Sequence, residues 1–442
     1  MKLSCTYSFW AAAALTITCY ASDAATVTEV SDVAPVWAGH PVGFSLLTAG
    51  DDQYVAYYDA ERRMTVAHRL LNDGGWRFLV LPETVGWDSH NSVTIALDSA
   101  GELHLSGNMH VHPLVYFRTR VKGNIESLER IPAMAGQEED RVTYPRFFEA
   151  PDGALVFTYR DGSSGSGNQI FNIYDVETRQ WRRLLDRPLT DGEGKMNAYP
   201  VGPGVGPDGY YHMCWVWRDT PDCATNHDLC YARSKDLVQW ETAAGEPLTL
   251  PITLANAEVV DPVPPGGGII NGNTRLGFDS QLRPVIAYHK FDDAGKTQVY
   301  NARYEQDRWV IYQTSDWDYR WEFSGGGSIG FEIGVSPVVF DPQTGLTQGF
   351  RTKHVGSGVW VLNEKTLQIE ETKAAEDPLP SEVRRVRSAF PGMTVRWSSD
   401  LGSSPAGGRY VLRWETLGQN RDRPREQPWP EPSQLQVIRV ND

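Results

Sequence analysis

The feature that most constrains this chain is a period of two. Short apolar runs alternate with polar residues, turn residues separate them, and almost no stretch carries the 3.6-residue period of an amphipathic helix. Glu102-Leu103-His104-Leu105-Ser106, Ala154-Leu155-Val156-Phe157-Thr158-Tyr159 and Tyr210-Tyr211-His212-Met213-Cys214-Trp215-Val216-Trp217 are examples. Asp-led turns precede such runs at Asp98-Ser99-Ala100-Gly101, Asp152-Gly153 and Asp208-Gly209, with a degenerate copy lacking Gly at Asp279-Ser280-Gln281-Leu282. Gly and Asp reach the backbone angles of tight turns at little cost. A second token, a charged turn leading to a tryptophan, recurs at Trp76, Trp181, Trp240 and Trp309, at intervals on the order of 50–100 residues. Repeated four-stranded units arranged radially leave few exposed edges. The expectation is an all-β, seven-bladed β-propeller, with stacked sandwiches as the alternative.

The 15 Trp, 19 Tyr and 15 Phe among 442 residues can fill a large core. The N-terminus reads as an export signal. Lys2 gives a positive start, an apolar stretch runs from Phe9 to Ile17, and small residues offer cleavage after Ala21 or Ala24. That stretch is too short to span a bilayer. Residues 1–24 are therefore read as a signal peptide and 25–442 as one domain, secreted or periplasmic. A formal net charge of −15 argues against nucleic-acid and membrane partners. An anionic sugar can still bind in a local basic cleft. A monomer without an organic cofactor is expected.

The chemistry concentrates in the first half. Trp87-Asp88-Ser89-His90-Asn91, Gly107-Asn108-Met109-His110, Thr143-Tyr144-Pro145-Arg146, Tyr159-Arg160-Asp161-Gly162 and Met196-Asn197-Ala198-Tyr199-Pro200 all sit at strand starts or ends. One histidine at a strand end more often serves structure than chemistry. Five such groups in five successive turns suit β-elimination from a uronic acid. That reaction needs a cation on the carboxylate and a base and an acid at the ring. Arg160 can supply the charge, since a guanidinium grips a carboxylate at two points. His90 and Tyr144 can exchange protons, and Asn91, His110 and Tyr199 can hold the sugar. No pair of carboxylates stands out in comparable loops, as a common glycosidase needs. A second candidate is His40, between Gly39 and Pro41, in a turn where burial for packing is not expected.

Cys214, Cys223, His227 and Cys230 fall within one hairpin, with His212 on the same strand. Thiolates and imidazole suit a closed structural zinc site, with Cys214, Cys223 and His227 as ligands. The competing reading is a Cys214–Cys223 disulfide that leaves Cys230 buried.

Residues 37–44 (Trp-Ala-Gly-His-Pro-Val-Gly-Phe), 87–91, 106–110, 144–147, 159–162 and 217–221 resemble the BNR-repeat-like propeller family, which contains ulvan lyases and related α-L-rhamnosidases. The likeness runs over roughly 35–360. For the lyases it implies a seven-bladed propeller that cleaves the bond between rhamnose 3-sulfate and uronic acid by β-elimination. His90 and Tyr144 match the proton-transfer pair in order and approximate spacing, Arg160 the carboxylate neutraliser, and His110 and Tyr199 the subsite positions. It also implies a structural metal. For the rhamnosidases it implies a single histidine on the opposite face, matched by His40. The complete His-His-Tyr-Arg-Tyr set favours the lyase; a non-catalytic glycan-binding propeller is the third reading.

Overall fold

A computed structural model of the chain describes residues 25–375, 379–403 and 407–441. The export signal read at 1–24 lies outside the described residues.

The period of two is realised as strands throughout. Among the described residues the strands make seven antiparallel sheets, and the one α-helical turn is Ser381–Arg384. Four sheets are built wholly from consecutive strands, as in Ser45–Ala49, Asp52–Tyr58, Arg63–Leu70 and Arg77–Thr84. In two more the order is broken only by His110–His112, which leaves the sheet of its chain neighbours to pair with Val142–Glu149 of the next. First strands of neighbouring sheets touch one another, for example Ser45–Ala49 with Val93–Leu97, and Val93–Leu97 with Val142–Glu149. The seventh sheet joins the two ends of the described chain. Thr26–Val36 pairs antiparallel with Ser433–Asn441, from Val27 opposite Val440 to Val36 opposite Ser433, with register shifts between Val27 and Glu29 and between Asp32 and Ala34. This radial arrangement is the expected propeller.

Both sequence tokens have structural meaning. The Asp-led turns connect the first and second strands of four sheets, and the tryptophans mark the fourth strands or their starts. The core lies between sheets, which explains how alternation can coexist with strands buried on both faces. In Tyr211–Arg218 every residue is buried. Met213, Trp215 and Trp217 pack toward the preceding sheet with Val156, Phe171 and Ile173. Cys214 and Val216 pack toward the following sheet with Ile286, Tyr288 and Tyr300. Successive side chains point to opposite faces of a strand, so one strand feeds two cores.

Strand starts and ends then position the site. The first strand of each sheet begins, and the second ends, at the same end of the molecule. The turns 37–44 and 87–92, the start of Val142–Glu149, the end of Leu155–Ser163 and the start of Asn197–Val205 are brought together there.

Candidate active site

His90, His110, Tyr144, Arg160 and Tyr199 form one continuous cluster. The His90 and His110 ring centroids lie 4.5 Å apart, and Tyr144 is 5.8 Å from His90 and 6.0 Å from His110. Tyr199 is 6.3 Å from Tyr144. The Arg160 guanidinium sits over both tyrosines, at 5.0 Å from Tyr144 and 5.5 Å from Tyr199.

Local backbone makes this possible. The pairing of Val142–Glu149 with Leu155–Ser163 slips between Thr143 and Arg146, a bulge of the kind that re-aims a side chain. Tyr144 stands in that bulge at φ +56° and is 37% exposed. A non-glycine residue in this region is strained and persists where the surroundings fix it. The strand His110–His112 is added beside the bulge, with the Val111 N–H donating to Thr143 Oγ1 at 2.8 Å. Gly162 has φ +107°, and a Cβ there would lie 2.3 Å from the Ser166 carbonyl oxygen. Its own carbonyl accepts from Arg160 Nε at 3.1 Å.

Arg160 is 3% exposed, and neither Nη1 nor Nη2 has a hydrogen-bond partner among the described residues. A buried guanidinium with both terminal nitrogens free is costly unless an anion meets it. Burial opposes ionisation of Tyr199, but the Arg160 and Arg218 guanidiniums and the Ser164 hydroxyl hold it below the ordinary tyrosine value. Tyr144 goes the other way. The protein packed around it and the neighbouring Tyr199 push it up, against the pull of Arg160 and Arg218.

Sequence reading missed Asp88, Arg218 and Asp422. Asp88 Oδ1 lies 2.7 Å from His90 Nδ1 and Oδ2 lies 2.5 Å from His110 Nδ1. Burial works against its charge, yet the bonds from His110 and His90 hold the carboxyl well below the usual range. Asp422 comes from the loop between Arg409–Leu417 and Ser433–Asn441. It accepts from the Ser89 N–H and hydroxyl at 3.1 and 2.6 Å, and from the Ser328 N–H and hydroxyl at 2.7 and 2.8 Å. Its Oδ2 lies 3.3 Å from His90 Nδ1. Asn91 is buried; its backbone carbonyl accepts from the Tyr58 hydroxyl at 2.7 Å, and its side-chain oxygen has no hydrogen-bond partner among the described residues.

Two expectations need correction. His40 is 2% exposed, not an open turn residue. Its Nδ1 accepts from Trp37 Nε1 at 2.8 Å and its ring lies 5.7 Å from Trp87. Trp429 packs on both tryptophans, and Arg62 lies over Trp37 and Trp87. Burial and Arg62 lower the His40 pKa to about 4, while Asp422 and Asp88 act against them. His40 therefore lies beneath the same end of the molecule as His90, because both of their turns lead into first strands.

The cysteine cluster does not assemble either. Cys214 and Cys230 sit on strands of one sheet but face opposite cores, and Cys223 belongs to a third. All three thiols are free and buried, so the Cys214–Cys223 disulfide is not formed. Burial pushes the Cys214 thiol up to about 12, away from the thiolate a zinc ion needs. His227 is bonded to Asp228 at 2.8 Å and to Asp219 at 3.0 Å. Among the described residues, Cys214, Cys223 and His227 join no group of three side chains spaced to hold a metal. The residues present do not fit the expected zinc.

Fold and cluster together define a β-propeller with a histidine–tyrosine–arginine centre at one end of its sheets. Residues 52–317 match the model of the BNR repeat-containing family, and the chain belongs to that family. A stretch of 141 residues is 28% identical to the long isoform of ulvan lyase from an Alteromonas species, covering 28% of this chain and 13% of that protein. Another of 62 residues is 44% identical to the long isoform from Glaciecola sp. (strain KUL10), covering 14% of this chain and 6% of that protein. The chain thus matches only a small part of these relatives' length. Among solved structures, polysaccharide lyase Uly1 superposes with a TM-score of 0.63 at 14% identity, covering 94% of this chain and 99% of that one. An ulvan lyase of family PL25 bound to -[GlcA(1-4)Rha3S]- gives 0.58 at 14% identity, covering 93% and 94%. The likeness to both is one of fold.

Proposed function

We propose that this protein is a secreted polysaccharide lyase that cleaves an ulvan-type glycan by β-elimination at the bond between rhamnose 3-sulfate and uronic acid. The observation that carries the reading is the buried Arg160 guanidinium, with both terminal nitrogens free, beside two histidines and two tyrosines. A uronate carboxylate meets that charge at two points. Neutralising it stabilises the enolate-like intermediate left when the C5 proton departs. The C5 electron pair forms the C4–C5 double bond, the bond from C4 to the sugar oxygen breaks, and that oxygen takes up a proton. His90, with an Nδ1 hydrogen bond and a free Nε2, is assigned as base. Tyr144 holds its proton firmly and is assigned as the acid to the leaving oxygen. The stretches shared with ulvan lyases support the choice of substrate, and the N-terminal sequence supports export.

The test is to incubate the protein with ulvan and follow the ultraviolet absorbance of the unsaturated uronate. The expected rise disappears in His90→Ala and in Tyr144→Phe. A flat trace with free rhamnose released from a rhamnosyl glucuronide defeats the lyase in favour of His40 chemistry. Binding without any product leaves a glycan-binding propeller.

A further inference from the structure

Asp88 stands apart from the groups so far given chemical roles, yet it touches both histidines. Each carboxylate oxygen faces a different ring: Oδ1 is 2.7 Å from His90 Nδ1 and Oδ2 is 2.5 Å from His110 Nδ1. Oδ1 also accepts the backbone N–H of His90 at 2.9 Å. An ionised carboxylate can only accept, and Asp88 is held ionised. Both imidazoles must then carry their proton on Nδ1 when neutral. Neither Nε2 is bonded to a protein group among the described residues, and the two side chains are 23% and 24% exposed. Which nitrogen of a histidine bears the proton is set by the partner of the other nitrogen.

We propose that Asp88 is a positioning residue that fixes both His90 and His110 in the Nδ1–H form with their Nε2 atoms free toward the substrate. One carboxylate thereby prepares basic nitrogens on two separate turns, 2 and 22 residues from it in sequence. The consequence for the reaction rests on the lyase reading above, but the tautomers do not. Asp422, 3.3 Å from His90 Nδ1, backs His90 alone. The other ring close to both imidazoles is Tyr144.

The inference makes an asymmetric prediction for Asp88→Asn. An amide has one accepting oxygen and one donating nitrogen. The His90 backbone N–H keeps the oxygen on the His90 side, so the amide nitrogen faces His110. His110 must then offer a bare Nδ1 and move its proton to Nε2, while His90 keeps its form. The experiment is nitrogen-15 NMR of histidine-labelled protein without substrate, at a pH where both rings are neutral, with signals assigned from His90→Gln and His110→Gln. The expected result is Nδ1–H on both rings in the wild type and Nε2–H on His110 in Asp88→Asn. Activity on ulvan should fall on the order of 10²-fold, as for a misplaced reacting group. An Nε2–H form on either ring of the wild type overturns the proposal, even if the variant does not fold. So does an Asp88→Asn protein that loses thermal stability while both tautomers stay as they were, the result for a carboxylate that merely pins its turn. Correct tautomers with no lyase activity in the wild type would leave the positioning intact and defeat the substrate reading.

Discussion

At the level of single residues, the site is held in a form that costs stability. Arg160 carries a buried charge that lies over two tyrosine rings but whose terminal nitrogens have no hydrogen-bond partner among the described residues. Replacing a poorly compensated buried charge by an apolar side chain of similar length is often stabilising. Arg160→Met should therefore raise the thermal midpoint, by on the order of 1 kcal/mol at the transition, while abolishing unsaturated product. Calorimetry and the absorbance assay on one preparation check both halves. A fall in stability would mean that the guanidinium is satisfied without substrate. The five residues of this cluster were legible in the sequence because each stands at a strand start or end, four of them close to a Gly or Pro. Asp88 was in view within Trp87-Asp88-Ser89-His90-Asn91, but its bond to His110 depends on two turns meeting. The cysteines misled for a related reason. Nearness in a hairpin says nothing about which face of the sheet a side chain takes, and Cys214 and Cys230 take opposite ones.

At the level of elements, the loop between Arg409–Leu417 and Ser433–Asn441 ties the site together. Asp422 joins the Ser89 turn to Ser328, and Trp429 of the same loop packs against Trp37 and Trp87. Hydrogen bonds to a charged group contribute about 1.5–3 kcal/mol each, and those removed with their partner leave donors unpaired. Asp422→Ala should destabilise the protein by about 2 kcal/mol and speed amide exchange at Ser89 and Ser328, whose N–H groups it accepts. Exchange unchanged at both would show that the loop is a passenger. None of this could be read from the sequence, because Ser89 and Asp422 are 333 residues apart. The Asp-led turns and tryptophans were legible because they act locally, within one hairpin.

At the level of the whole molecule, buried histidines contribute to the response to acid. Burial lowers the His289 pKa to about 4, with a hydrogen bond to the Gly268 backbone acting against it. His40 is also lowered to about 4. In the unfolded chain both titrate near 6.5. A depressed folded value means that the unfolded state binds protons first, so stability falls as pH drops from about 6.5 to 4. The loss is at most about 3 kcal/mol for each ring. His289→Leu, between Trp321 and Phe323, should leave stability near pH 7 little changed and flatten this acid limb. Melting curves from pH 7 to 4 would show it, and an unflattened limb would assign the acid loss elsewhere.

The pairing of Thr26–Val36 with Ser433–Asn441 has a kinetic consequence. Thr26–Val36 finds its partner only once Ser433–Asn441, far later in the chain, has been made. Until then it presents an unsatisfied edge, and the sheets made in between have no closed ring to join. Contacts of such sequence separation form slowly, and open edges invite pairing between chains. The molecule is therefore most exposed to misassembly late in its folding, and clipping a few residues from either end of the described chain should slow closure about equally.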